Sequence, residues 1–148
     1  MSILVIAEHD NSNLKGATLN TVAAALEISD DISLLIAGFN IDSVIDEAKK
    51  IDNVNNILRC DDEVYKNSLA EDLAALVVSN VGSFTHILAP ATTFGKNIMP
   101  RISAKLDSQQ ISDIISVESD NTFKRPIYAG SCIAVSYTHL TLPTISCV

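Results

Sequence analysis

The sequence predicts an α/β fold: a doubly wound, mostly parallel sheet with helices on both faces and an antiparallel extension at its C-terminal end. Three observations predict it. Short apolar runs alternate with segments of helical period, in series, between residues 3 and 106. The first run, Ile3-Leu4-Val5-Ile6, is apolar without interruption, as in a strand buried on both faces. After Asp107 the pattern changes to short strand-like runs separated by turn residues. Strand–helix units in series with right-handed crossovers give a parallel sheet. Such a sheet should have about five strands or more, with residues 3–7 near its centre.

The elements follow in order. A polar stretch, 8–16, leads from the first strand to a helix carried by Leu19, Val22, Ala23 and Leu26. Residues 33–38 form the second strand. Asp42 caps a short helix whose inner face is Val44, Ile45, Ala48 and Ile51. Residues 56–60 form a weaker third strand. Ser68-Leu69-Ala70-Glu71 fits a capping box, in which hydroxyl and carboxylate satisfy free backbone N–H groups. Leu69, Leu73, Leu76 and Val77 then line one face, Asp72 suits the positive end of the helix, and Gly82 is its stop. Residues 85–89 are the fourth strand, ended by Pro90. Residues 96–106 form the fourth helix, with Pro100 in its first turn or at a kink. Runs at 114–118, 122–128 and 131–135 are the antiparallel strands. Ser119-Asp120-Asn121 and Ala129-Gly130 turn between them. This extension is expected on one edge of the sheet, with part of it an apolar surface.

A chain of 148 residues, 47% of them hydrophobic, suits one domain with a real core and is too short for two. With no Trp and 5% aromatics, that core is built from Ile, Leu, Val and Ala. No apolar run approaches the roughly 20 residues of a membrane span, and no basic or Arg-rich leader precedes the first strand. The expectation is therefore a cytoplasmic protein without membrane insertion. A net charge of −8 repels nucleic acid and anionic membranes. It suits a partner with a basic face, or is simply a solvated surface. Cys60, Cys132 and Cys147 have no metal-ligand spacing and are expected as reduced, inert thiols.

Signatures of catalysis and nucleotide binding are sparse. No G-x-G-x-x-G follows the first strand, and no G-x-x-x-x-G-K-[ST] occurs. Thr93-Phe94-Gly95-Lys96-Asn97 is the nearest substitute: either an anion cradle with Lys96, or a tight strand-to-helix turn relieved by Gly95. His9 follows the first strand, where doubly wound folds place ligands; a polar loop histidine is the alternative. His86 and His139 have no ligand partner at usable spacing. Asp61-Asp62-Glu63 is either a metal cluster or a solvated turn, and Ser112 and Asp113 have no base beside them. The expectation is no catalytic, cofactor-binding or metal-ligating residue in this chain.

Several segments together resemble one family. Leu4-Val5-Ile6-Ala7-Glu8-His9 is followed by Thr18-Leu19-Asn20-Thr21 and Val64-Tyr65-Lys66. Thr85-His86-Ile87, Phe94-Gly95-Lys96-Asn97 and Pro100-Arg101-Ile102-Ser103-Ala104-Lys105-Leu106 continue the series. Ile111-Ser112-Asp113-Ile114 and Arg125-Pro126-Ile127-Tyr128-Ala129-Gly130 complete it. In this order they resemble the alpha subunit of electron-transfer flavoproteins over residues 2–135. The resemblance implies a Rossmann-like domain, similar to the adenine-nucleotide alpha-hydrolase fold, at residues 1–135. It implies an electron carrier rather than an enzyme, in which this N-terminal part is scaffold and packs on a beta subunit. It also implies that the intact heterodimer uses FAD. Flavin dehydrogenases, such as those oxidising acyl-CoA, would reduce that FAD, and a quinone oxidoreductase would reoxidise it. FAD belongs to a C-terminal domain that lies beyond this chain, so none is expected to bind here. A stand-alone nucleotide-binding domain of universal-stress type is the alternative, and it would need a glycine-rich loop after the fourth strand. A hydrolase is a third, without a nucleophile–base pair.

Residues 136–148 depart from the family pattern. Val135-Ser136-Tyr137-Thr138-His139-Leu140-Thr141-Leu142-Pro143-Thr144 looks like a translated sequencing adaptor. The tail is expected to be an assembly scar that contributes little to stability; a natural strand is the alternative.

Overall fold

The computed structural model describes residues 1–138 and the strand at Thr144–Cys147. In chain order the elements are β1 (Ser2–Ile6), α1 (Gly16–Leu26), β2 (Asp31–Gly38), α2 (Asp42–Ala48), β3 (Asn56–Asp61), α3 (Ala70–Asn80), β4 (His86–Ala89) and α4 (Thr93–Leu106). Then come β5 (Gln110–Ile111), β6 (Ser116–Ser119), β7 (Thr122–Ile127), β8 (Cys132–Tyr137) and β9 (Thr144–Cys147). The main sheet has six strands in the order β3-β2-β1-β4-β9-β5, and its pairings are parallel. β1 lies inside it, between β2 and β4, as its apolar run predicts.

Alternation along β1 feeds two cores. Leu4 and Ile6 pack with Ile87, Leu73, Val77, Ile98 and Ile102, beneath α3 and α4. Ile3 and Val5 pack with Leu34, Leu88, Val22, Ala25, Val44 and Ala48, beneath α1 and α2. Because successive side chains of a strand point to opposite faces, both sets must be apolar where helices cover both faces. This is the doubly wound arrangement.

The C-terminal strands depart from expectation in one respect. β6, β7 and β8 form a separate three-stranded antiparallel sheet rather than an extension of the main sheet's edge. A buried Phe123, with Ile111 and Ile114, fastens it to the body near Ile28. His86 adds a polar pin. From β4 its Nε2 donates to the Asp120 carbonyl in the β6–β7 turn at 2.7 Å. On the other ring edge Nδ1 lies 2.9 Å from the Thr85 hydroxyl.

Three local expectations are corrected. Ser68 does not cap α3: it takes a left-handed φ of 50°, and Leu69 occupies the cap position without a side-chain cap bond. The short 3-10 turn Glu63–Tyr65 sets this, because the Ser68 N–H is drawn back to the Tyr65 carbonyl at 3.0 Å. Asp42 lies in the first turn of α2 rather than at its cap. Pro100 lies inside α4, which starts earlier than expected, at Thr93. It is exposed, as is Lys96, the residue whose carbonyl loses its helical partner.

The tail beginning at Ser136 spans two strands. Ser136 and Tyr137 finish β8, and Thr144–Cys147 enters the main sheet between β4 and β5. Residues 139–143 and 148, His139 among them, lie outside the described residues. The position of β9 gives the tail a place in the sheet that the sequence reading did not assign.

Candidate functional site

In doubly wound sheets ligands bind at the carboxyl ends of the strands, where the order reverses. Here that point lies between β1 and β4, and the chain's own side chains occupy it. The Thr92 hydroxyl donates to Glu8 Oε2 at 2.6 Å. The same hydroxyl oxygen caps α4 by accepting the Gly95 N–H at 3.5 Å. A carboxylate thus stands against the cap of the helix whose positive end would otherwise suit an anion. Lys96 forms an ion pair with Asp113 at 3.0 Å. A Cβ on Gly95 would overlap the Pro90 carbonyl. Between the two readings of Thr93-Phe94-Gly95-Lys96-Asn97, the geometry supports the tight turn.

His9 has both ring nitrogens engaged. Nδ1 accepts the Asn11 backbone N–H at 3.1 Å, which makes Nε2 the protonated nitrogen, donating to the Ala37 carbonyl at 3.0 Å. Burial lowers its pKa from the ordinary 6.5, against a smaller opposing effect of the Ala37 bond. Asn11 continues the network. Its Oδ1 accepts the Phe39 N–H at 3.1 Å and its Nδ2 donates to the Lys66 carbonyl at 3.0 Å. A Cβ at Gly38 would collide with Asn11, His9 and Ile41. Glycine is what lets this loop lie against β2. Thr18, fully buried, exchanges hydrogen bonds with the backbone of Glu8. These bonds make His9 and its loop a clasp over the strand ends rather than an open ligand surface.

The remaining candidates are also committed. Asp61 accepts the Asn40 N–H at 2.9 Å and pairs with Arg59 at 2.7 Å, which holds its pKa below the usual carboxylate range. Asp62 caps the 3-10 turn by accepting from Val64. Among the described residues no group of His, Cys, Asp and Glu could hold a metal ion. Ser112 lies beside Gln110 and Asp113 beside Lys96. Cys60 and Cys132 are free thiols.

The sequence reading did not single out the outer face of the antiparallel sheet by residue. Along β8, Ile133, Val135 and Tyr137 are 62%, 46% and 71% exposed, with Tyr128 at 80% beside them. Alternation places the three β8 side chains on one face, pointing away from buried Phe123. An apolar surface was expected within 111–135, and the alternating positions 133 and 135 were the available signal.

A family model described as the electron transfer flavoprotein domain matches residues 3–148. The chain belongs to the electron transfer flavoprotein family. It is 48% identical over 146 residues to an electron transfer flavoprotein subunit alpha of Pseudomonas aeruginosa, covering 99% of this chain and 47% of that protein. The mitochondrial subunit alpha of Dictyostelium discoideum is 43% identical over 139 residues, covering 88% of this chain and 39% of the relative. The electron transfer flavoprotein subunit alpha of Paracoccus denitrificans is 40% identical over 135 residues, covering 91% of this chain and 44% of the relative. The chain spans about half the length or less of these curated relatives. The resemblance drawn from the motifs is borne out, and the universal-stress alternative is not favoured. No described helix is long and apolar enough to cross a membrane.

Flavoprotein membership makes FAD the cofactor to test against the N-terminus of α4, and that helix end does not fit its pyrophosphate. A flavin pyrophosphate calls for converging backbone N–H donors at an open helix N-terminus. Here Glu8 and Thr92 hold that end of α4, and Lys96 is held by Asp113.

Proposed function

We propose that this chain is the N-terminal scaffold and subunit-docking part of an electron-transfer flavoprotein alpha subunit. One observation carries the reading: Ile133 and Val135, both exposed, point outward from a sheet whose opposite face is already packed. Large apolar side chains displayed together on a regular strand fit a surface that a partner covers. The partner in this reading is the beta subunit. In the whole heterodimer FAD accepts electrons from flavin dehydrogenases and passes them to a quinone oxidoreductase. This chain supplies no catalytic group and no flavin, metal or nucleotide ligand. Residues 1–135 are the domain, and 136–148 are a scar of adaptor origin that fills the β9 slot. The compartment is a bacterial cytoplasm, with the mitochondrial matrix as the alternative.

The test is titration of the purified chain with its cognate beta subunit by calorimetry, with a parallel FAD arm read by absorbance after gel filtration. Binding to the beta subunit that Val135→Lys weakens, with no flavin retained by the chain alone, is the expected result. Stoichiometric yellow protein from this chain alone would overturn the scaffold assignment.

A further inference from the structure

We propose that Arg125 is the anchor for a carboxylate presented by the beta subunit. The inference rests on the docking reading and names one contact within it. Of the three arginines, two are committed inside the chain. Arg59 pairs with Asp42 at 2.8 Å and with Asp61 at 2.7 Å, and Arg101 pairs with Glu71 at 3.0 Å. Arg125 has no ion pair among the described residues. Its Nε is also the one buried side-chain nitrogen or oxygen among them without a hydrogen-bond partner. A buried donor left unmet carries its full desolvation cost, and a guanidinium cannot escape that cost by losing its proton.

The place of Arg125 in β7 explains how this arises. Arg125 shares a face with Phe123, two residues before it, and stands opposite Ala134 of β8. That face is closed by the body at Phe123, which is fully buried. Arg125 is half-buried, and Cys132, opposite Ile127 on the same face, is exposed. Cover thins along the strand, and Arg125 sits where it runs out. The sealed Nε fixes the stem, while the two Nη groups are not enclosed with it. They form a planar fork of parallel donors, the geometry that matches a carboxylate. Partial desolvation makes an opposite charge worth more here than at an open surface arginine.

The surroundings favour an acid carried on a protein over a free ion. Lys124, the other cation of the small sheet, is taken up by Glu118. Exposed apolar side chains flank the site along the chain. Ile115, whose N–H donates to the Lys124 carbonyl at 2.9 Å, is 59% exposed, and Tyr128 is 80% exposed. Such neighbours offer a free anion no further donor in exchange for its water. A partner surface covers them and supplies the charge together, the composition of an interface in which an arginine is a main contributor.

In calorimetric titration the cognate beta subunit should bind Arg125→Met at least about thirtyfold more weakly than the unaltered chain. Arg125→Lys, charged but without the fork, should fall between the two. The free chain should respond in the opposite sense: relieved of an unpaired, partly buried charge, Arg125→Met should melt at the same temperature or higher. On the unaltered chain, guanidinium NMR needs no variant to fold. The Arg125 Nη protons should exchange more slowly once the beta subunit is added, and inorganic phosphate should leave them unmoved. Equal affinity of the beta subunit for Arg125→Met, a lower melting temperature of that variant, or saturable phosphate binding at Arg125 would each overturn the proposal. If Arg125→Met binds normally while Val135→Lys does not, the docking reading stands and this contact falls. If the unaltered chain does not bind the beta subunit, both fall.

Discussion

β1 and β8 are both short apolar strands, yet they answer to opposite surroundings. In β1, Ile3, Leu4 and Val5 are fully buried, because helices cover both faces of the main sheet. In β8, Ile133, Val135 and Tyr137 face outward, and only the opposite face of their sheet rests on the body, through Phe123. The comparison teaches that apolar content marks a strand without saying what covers it. In β1 the cover is within the chain; in β8 it must be supplied by something else or left as exposed apolar surface.

Core substitution is the strongest way to test this contrast. Ile87→Ala removes a fully buried side chain beneath α3 and α4, and urea unfolding should show a loss of about 2–5 kcal/mol. Ile133→Ala in β8 should change the same measurement by less than about 0.5 kcal/mol. Equal effects would mean that the outer face of β8 is packed in solution.

Removing residues 139–148 deletes β9, leaving β4 and β5 without their shared neighbour. A loss of several times the roughly 1 kcal/mol typical of one hydrogen bond is expected. Restoring the strand with Val-Thr-Val-Thr at 144–147 should recover most of it, since the slot is held by backbone pairing. Failure of the replacement would argue that the tail sequence itself is native.

Gly95→Ala sets a methyl group against the Pro90 carbonyl. It should cost about 1–3 kcal/mol, as overpacking does, where Gly82→Ala, with open space around it, should be near neutral in the same melt.

The pH response ranks next. Burial lowers the pKa of both His9 and His86 from 6.5, so below that value the unfolded chain binds more protons than the folded one. Stability should be full above about pH 6.5 and should fall as pH drops from there toward the folded pKa values. Carboxylates lowered by their partners, Asp10, Asp61 and Glu118, lose stability only in a more acidic window. Denaturant midpoints at pH 7.5 and 5.5 read the histidine window, and a His9→Gln, His86→Gln double variant should flatten it. An unchanged slope would show that neither ring is buried neutral.

The smallest effect concerns Ser68. Because it makes no cap bond, Ser68→Ala should fall within about 0.5 kcal/mol, whereas Thr92→Ala, at a true cap, should cost about 1 kcal/mol. The sequence favoured Ser68 on spacing alone. A capping box needs extended backbone at the serine, and the turn at Glu63–Tyr65 imposes a left-handed one. Spacing cannot report the dihedral that a preceding turn imposes.

The sequence by itself determined the period of each main element, the central place of β1 and the family. Those follow from local patterns: doubly apolar strands, helical stripes and ordered short motifs. Tertiary structure alone decided what lies between elements distant in the chain. It brought Glu8 onto Thr92 at the strand ends, aimed both nitrogens of His9 into a clasp, and pinned the small sheet through His86 to Asp120. It also separated that sheet from the main one and turned the apolar row of β8 outward. A residue's type and spacing set its local conformation. Whether it meets water, a carbonyl or another side chain depends on parts of the chain tens of residues away, which no local pattern encodes.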